Sequence, residues 1–551
     1  MNRRDFLRTS ALGALALGVP AKVYAKESFD VIFKDATVYD GSLRPPFRGD
    51  VAVKDGKIAA IGADLGTGAK KVISLNALAL SPGFIDIHSH TDTNLLVCPE
   101  ADSRIMQGVT LEVGGNCGSA PFVYSDREWE KRKGSTRHGY PAWRDVDGFY
   151  ATLEKNGIGI NYCSLVGHGD LRDAVVGPYN VKATDEQIEA MCKILDKELE
   201  MGAIGLSFGL EYTPGCYCDT REMTALCKVV ARHDALYSIH MRNEDNKVLE
   251  AMDEAIEAAR ASGARLEISH LKAQNPANFD KIDRMLSKVD EARAEGIDIA
   301  FDRYPYTAFY NSMSSFIPQS LRDGTSQEVL ARLDDPSACA KMRENFLRKI
   351  DAYGGSDKVL VCACKDPANA ALSGKTLQQC SAVTGLEEWE VVRHLLKTEK
   401  LGVYRATFAM KEENLQKLYS HPLSMPGSDG GVTSPEGPLS KMLPHPRYYG
   451  TFPRFFEKYV RITPVLTLQE AVHKCTALPA SRLRIKGRGE LIPGYAADIT
   501  VFNPDTIADR STYSAPHAFP DGIEYVMVNG KLCVEKGRHT GELPGVVVKQ
   551  N

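Results

Sequence analysis

Short apolar runs alternate along most of the chain with longer stretches whose apolar residues recur every three or four positions. The first pattern is that of strands buried on both faces and the second that of helices packed by one side, so their alternation predicts parallel βα units. Strand candidates are 84–87, 111–114, 158–166, 204–208, 236–239, 266–269, 298–301 and 423–427. Eight such strands close a (β/α)8 barrel. One helix is marked at both ends. Thr184-x-x-Gln187 forms a capping box, Ile188, Met191, Cys192, Leu195 and Leu199 keep to one face, and Gly202 stops it. The gap between the last two strands is too long for one crossover, and 309–351 reads as an insertion over the barrel mouth.

The pattern changes at the two ends of the chain. Runs 51–53 and 57–61 flank Asp55-Gly56, runs 525–528 and 531–534 flank Asn529-Gly530, and 497–502 is a further strand-like run. Both dipeptides suit tight hairpin turns. Hairpins this small are marginal alone, so the ends are expected to pair into one small β-sandwich. The expected organisation is a leader at 1–25, sandwich halves at 26–81 and 483–551, and a catalytic barrel at 82–482.

Met1 to Ala25 has the form of an export leader: Arg3, Arg4 and Arg8, an apolar run from Ala11 to Val19, and the small-residue cleavage pattern Val23-Tyr24-Ala25. Arg3-Arg4-Asp5-Phe6-Leu7 resembles a bacterial twin-arginine leader, with Asn2 where Ser or Thr is usual. The expectation is export by the twin-arginine machinery to the periplasm or the exterior, with a mature chain starting near Lys26. The thirteen cysteines are odd in number and scattered. With folding before export they read as free thiols, Cys216/Cys218 and Cys362/Cys364 included.

At 551 residues and 43% hydrophobic the chain can bury a large core. Its 67 basic and 71 acidic residues leave a net charge of −4, which gives nucleic acid no basic surface to bind. No apolar stretch reaches the roughly 20 residues of a membrane-spanning helix, so no stable membrane insertion is expected.

The candidate chemistry gathers at strand C-terminal ends, where a barrel builds its site. The first strand runs into His88-Ser89-His90, whose alternate imidazoles share a face. After the second comes Gly114-Gly115-Asn116-Cys117-Gly118, with glycines to bend a thiol into the mouth. The fifth and sixth end at His240 and His270, and the eighth delivers Asp429. Imidazole with thiolate suits Zn(II) better than Mg(II) or Ca(II). His168, at the third strand end, reads as a substrate hydrogen-bond partner or a structural support. Arg447 and His445 line the mouth or fix its loop. His138, His233, His394, His421, His473, His517 and His539 have no convergent partners and read as structural or exposed.

Pro82-Gly83-Phe84-Ile85-Asp86-Ile87-His88-Ser89-His90 resembles the opening of the amidohydrolase superfamily. Gly115-Asn116-Cys117-Gly118, His240-Met241-Arg242-Asn243-Glu244, Ser269-His270-Leu271-Lys272, Tyr304-Pro305-Tyr306, Gly427-Ser428-Asp429-Gly430 and the stretch from His445 to Arg454 resemble its N-acyl-D-amino-acid deacylase branch. Cysteine after the second strand sets this branch apart from hydantoinases and dihydroorotases, which use a carboxylated lysine. The resemblance implies zinc-dependent hydrolysis of a small-molecule N-acyl-D-amino acid. It implies one tight zinc on Cys117, His240 and His270, and a second, weaker position at His88 and His90 with Cys117 shared. Asp429 would be the proton carrier, and Lys272, Tyr306 and Ser312 would grip the substrate carboxylate, with Tyr304 a close rival of Tyr306. Leu111-Glu112 departs from the family's small or β-branched residues, and Glu112 reads as an outward or salt-bridged carboxylate rather than a metal contact. The rival readings are a secreted dipeptidase or cyclic amidase of the same superfamily, and a binding protein that keeps the metal cage without catalysis.

Overall fold

The computed structural model describes residues 28–133 and 143–549. The leader segment and His138 lie outside the described residues.

All eight strand candidates carry a barrel strand. Phe84–Asp86, Val109–Gly114 and Asn161–Ser164 pair in parallel. Gly205–Gly209, Leu236–His240, Arg265–Ile268, Ile299–Arg303 and Ser424–Pro426 form a second parallel run. The third strand continues as Val166–Gly167 and joins the two arcs on one side. On the other, Asp429 N donates to His88 O at 2.8 Å and His90 N to Gly430 O at 2.6 Å. The ring is therefore sealed by the backbone of its own site residues. Ile85, Ile87, Leu111, Val113, Cys163, Leu165, Ala300 and Met425 share one buried cluster, and these runs are apolar throughout because both faces of each strand are covered.

The helix Asp185–Glu200 has the capping box foreseen for it: Gln187 N donates to Thr184 Oγ1 at 3.2 Å and Thr184 N to Gln187 Oε1 at 2.9 Å. Such a cap is worth about 1 kcal/mol. Ile188, Met191, Leu195 and Leu199 are buried on its inner face.

The two chain ends meet in one nine-stranded sheet, in which Ala79–Pro82 pairs with Ile499–Phe502. Phe33 and Tyr525, three strands apart in its order, lie 6.3 Å apart edge to face within a common core, so the sheet closes over itself. Both hairpin turns take positive φ at Asp55-Gly56 and Asn529-Gly530. The turns pack on each other so closely that a Cβ at Gly530 would sit 2.5 Å from the Gly56 Cα.

The insertion is larger than the segment 309–351. It opens with Ala308–Ser312 and closes only with Tyr404–Phe408, which pairs antiparallel to it and to Val359–Val361. A strand that leaves the barrel needs a returning partner, and that partner lies almost a hundred residues on, beyond four helices: Ser326–Arg332, Pro336–Tyr353, Leu377–Thr384 and Glu388–Thr398. Phe316, Phe346, Trp389 and Leu395 give the insertion a core of its own. Among the described residues no helix is long and apolar enough to cross a membrane. All thirteen cysteines are free thiols.

Candidate metal centre and active site

The ends of the first, second, fifth, sixth and eighth strands converge at the mouth. Cys117 Sγ lies 3.4 Å from His88 Nε2 and 3.4 Å from His270 Nε2, and His270 Nε2 lies 2.9 Å from His240 Nδ1. Two of the donor sets among the described residues meet at Cys117, each with ligand atoms within 4.8 Å of one another: Cys117, His240 and His270, and His88, His90, Cys117 and Asp429. The thiol belongs to both. Burial alone would push its pKa up, but the facing imidazoles of His88 and His270 hold it well below the usual thiol value.

Three of these side chains stand on strained backbone. Cys117, His270 and Asp429 take φ of 53°, 38° and 50°, left-handed conformations that cost a residue with a Cβ about 1–3 kcal/mol and concentrate at functional sites. The glycines beside Cys117 are required by space as well as by φ. A Cβ at Gly115 would lie 2.1 Å from Leu165 O, and one at Gly118 would lie 2.7 Å from Gly209 N.

Carboxylates behind the imidazoles set which nitrogen faces inward. His88 Nδ1 is 3.1 Å from Asp302 Oδ2, and Asp302 Oδ1 accepts from His270 N at 2.9 Å. His270 Nδ1 is 3.0 Å from Glu244 Oε1 and 2.7 Å from Lys272 Nζ. Both rings thereby turn Nε2 toward Cys117 Sγ, the usual way a protein aims an imidazole at a metal. His240 Nε2 is buried without a hydrogen-bond partner, with Glu211 at 3.6 Å and Glu244 at 3.9 Å. Glu244 also ion-pairs with Lys272.

Asp429 faces the centre from the eighth strand. Its Oδ1 lies 3.1 Å from His90 Nε2 and its Oδ2 lies 2.9 Å from an Arg447 guanidinium nitrogen. Burial would raise its pKa, but Arg447 first and then His90 hold it well below the carboxylate range. The partly exposed His90 ring, which desolvation would make less basic, is raised to about 9 with Asp429 as hydrogen-bond partner.

The mouth opens into a cavity of about 1280 Å³, bordered by Cys117, His240, His270, Lys272, Tyr304, Ser312, Asp429 and Arg447 among others. Two expectations need correction. Tyr306 does not border the cavity: its hydroxyl donates to Asp509 Oδ2 at 2.8 Å, whereas Tyr304, two residues before it, does border the cavity. His168 is fully buried outside the cavity lining, stacked 4.5 Å from Phe208 with Nε2 2.8 Å from Glu222 Oε1. That nitrogen is already spent, and the structural role is the one the geometry supports. His445 fixes the loop, with Nε2 3.1 Å from Ala308 O and Arg447 N donating to its Nδ1 at 3.0 Å. Glu112 is the salt-bridged carboxylate expected: fully buried on the face opposite Leu111 and Val113, it has Oε1 2.8 Å from Arg104 Nε and belongs to neither of these donor sets. Burial pushes its pKa up to about 8 against the pull of Arg104.

Glu211, Glu244 and Asp302 had no role assigned from the sequence. Asp302 was lost because the strand reading stopped at Phe301, whereas the strand runs to Arg303. Glu244 follows His240 by four residues and Glu211 follows the end of the fourth strand, so the strand-end rule that found the histidines also reaches these acids.

A parallel barrel with imidazoles, a thiolate and a carboxylate converging at its C-terminal mouth is the architecture of a metal-dependent hydrolase. Residues 371–534 match the model of an amidohydrolase family. The chain is 32% identical over 509 residues to an N-acyl-D-glutamate deacylase of Alcaligenes xylosoxydans xylosoxydans, covering 92% of this chain and 93% of that relative. It superimposes with a TM-score of 0.81, at 30% identity and over 95% of this chain and all of the other, on an N-acyl-D-glutamate deacylase from Bordetella bronchiseptica solved with zinc and a phosphonate mimic of the tetrahedral intermediate. A D-aminoacylase structure, described for its binuclear metal centre with one-metal activation and second-metal attenuation, matches at 0.78 with 30% identity over 95% of this chain and all of the other. The chain belongs to the N-acyl-D-amino-acid deacylase family of the amidohydrolases.

Proposed function

We propose that the protein hydrolyses the amide bond of N-acyl-D-amino acids, releasing a carboxylate and a free D-amino acid. The observation that carries this reading is the Cys117 thiolate shared between two sets of imidazoles, with Asp429 beside His88 and His90. Soft sulfur and imidazole donors crowded within 4.8 Å of one another fit zinc. Cys117, His240 and His270 would hold the tight ion, and His88 and His90 would offer the second, weaker position. Zinc, when bound, supplies a Lewis acid that polarises the scissile carbonyl and lowers the pKa of water beside it to about 7.

The rest is the work of the protein. Asp429 accepts a proton from the attacking water and returns it to the amine nitrogen as the carbon–nitrogen bond breaks, base and acid in turn. Arg447 and Tyr304 receive the substrate carboxylate, because Tyr304 Oη and Arg447 Nε are buried beside the cavity without hydrogen-bond partners. Lys272 adds positive charge behind them, and Ser312 stands on the same wall. Carbonyl, carboxylate and side chain are then fixed at three points, which is what selection of one hand requires.

A panel of N-acetyl-D- and N-acetyl-L-amino acids, scored for free amine with and without a chelator, tests the reading. Amine release from D substrates alone, lost on chelation and restored by zinc, is expected. Cleavage confined to dipeptides or cyclic amides would move the protein to the rival branches, and binding without release would make it a non-catalytic relative.

We also propose export by the twin-arginine route to the periplasm or exterior, supported by the paired arginines, the short apolar run and the cleavage pattern at Val23-Tyr24-Ala25. Amino-terminal sequencing of the exported protein should begin near Lys26; an uncleaved chain confined to the cytoplasm would overturn it.

A further inference from the structure

The relatives divide by substrate side chain, one named for D-glutamate and another for D-amino acids in general. The wall beside Arg447 speaks to which kind this chain prefers. Tyr310 and Tyr404, on paired antiparallel strands of the insertion, stack at 5.2 Å with their planes 13° apart. Tyr448 stands edge-on to Tyr310 at 6.2 Å. The Arg447 guanidinium lies over the Tyr304 ring at 4.7 Å and the Tyr310 ring at 5.7 Å. All four tyrosines border the cavity, and Tyr404 is 45% exposed.

The chemistry of the substrate decides what meets this wall. The side chain grows from the same carbon that carries the carboxylate, whereas the acyl chain begins beyond the amide nitrogen and carbonyl. A carboxylate held by Arg447 and Tyr304 therefore places the first atoms of the side chain next to Tyr310, and the acyl group farther off.

Charge on this wall gives an acidic side chain little to bind. Lys272 is held by Glu244, Arg127 by Asp173 and Lys131 by Glu128, and Arg447 is engaged by the carboxylate every substrate carries. Lys365 and Lys441 border the cavity from exposed positions, where water screens an ion pair to little net gain. Buried Arg405 is directed away, toward Thr407, Ser315 and Tyr353. Aromatic faces in offset or edge-on contact reward another aromatic ring beyond the area it buries.

We propose that the Tyr310–Tyr404–Tyr448 wall is the side-chain subsite and that the preferred substrates are N-acyl-D-amino acids with aromatic side chains. The inference rests on the deacylase reading above. With the zinc-loaded enzyme, kcat/KM for N-acetyl-D-phenylalanine should exceed that for N-acetyl-D-glutamate by about a hundredfold or more, the scale on which a pocket discriminates by shape and burial. Tyr404→Ala, at a partly exposed position where folding is not at stake, should lower kcat/KM for N-acetyl-D-phenylalanine at least tenfold more than for N-acetyl-D-alanine. Cleavage of N-acetyl-D-alanine with equal or better use of D-glutamate would overturn the subsite while leaving the deacylase reading in place. So would a phenylalanine-to-alanine ratio that Tyr404→Ala does not move. No cleavage of any N-acetyl-D-amino acid would overturn both.

Discussion

Cys117→Ala should leave the purified protein with little bound zinc and turnover lower by more than about a hundredfold, at least the loss that accompanies removal of a group supporting a metal ligand. Its sulfur is 3.4 Å from imidazole nitrogens of both His88 and His270, so the variant loses the donor common to both positions and the negative charge that offsets a divalent cation. His240 and His270 then remain as a pair, short of the three protein ligands of a catalytic zinc site, while the weaker position keeps His88, His90 and Asp429 without the soft sulfur. The backbone does not confuse the result, because Cys and Ala meet the same penalty at a φ of 53°. Elemental analysis should show zinc lost while thermal unfolding remains cooperative. Full zinc occupancy in Cys117→Ala would remove the thiolate from the metal set and with it the central argument for the site.

That centre was legible because every member obeys one rule. His88, His90, Cys117, His240, His270 and Asp429 each follow an apolar run at the end where a barrel gathers its loops, and the backbone closes the ring through His88, His90 and Asp429 themselves. The rule says nothing about what happens past a turn. Tyr304 and Tyr306 are two residues apart and equivalent by alternation. Only the course of the chain after Pro305 separates them, and Tyr306 is claimed by Asp509 from a loop two hundred residues later. His168 fails for a related reason. A helix, His168–Val175, begins at that very residue, and the helix after the fourth strand, Thr220–Arg232, brings Glu222 to its Nε2. Local pattern locates the end of a strand, while long-range partners decide whether the side chain there faces the cavity.

The same limit applied to the insertion. Its helices have clear apolar faces, but its limits are set by pairing between Ala308–Ser312 and Tyr404–Phe408. Each is a five-residue strand that periodicity alone does not distinguish from a loop. Glu112 is the salt-bridged carboxylate that its place in an apolar strand suggested, and its partner Arg104, also fully buried, comes from a short helix that the strand pattern does not reveal.

Asp429→Asn separates chemistry from metal binding more sharply than any other single change. The side chain keeps its size, and an amide oxygen can still face the Arg447 guanidinium, so the loop and the cavity wall should stay in place. An amide does not take up a proton near neutrality, however, so the variant can neither accept one from water nor deliver one to the departing amine. Loss of a positioned general base or acid costs about 10²–10⁴ in rate, and Asp429 is asked to serve as both, so a fall in kcat at the upper end of that range is expected. KM should move less, because Arg447 and Tyr304 remain to hold the carboxylate. The tight donor set of Cys117, His240 and His270 does not include Asp429, and zinc bound there should persist near one per chain, while occupancy of the position beside His88 and His90 should weaken. Near-normal turnover at full zinc content would take Asp429 out of the mechanism and require another proton carrier within reach of the same centre. The remaining acids there offer a poor substitute, since Glu244 is committed to Lys272 and His270, and Glu211 lies 3.6 Å from the outer nitrogen of His240.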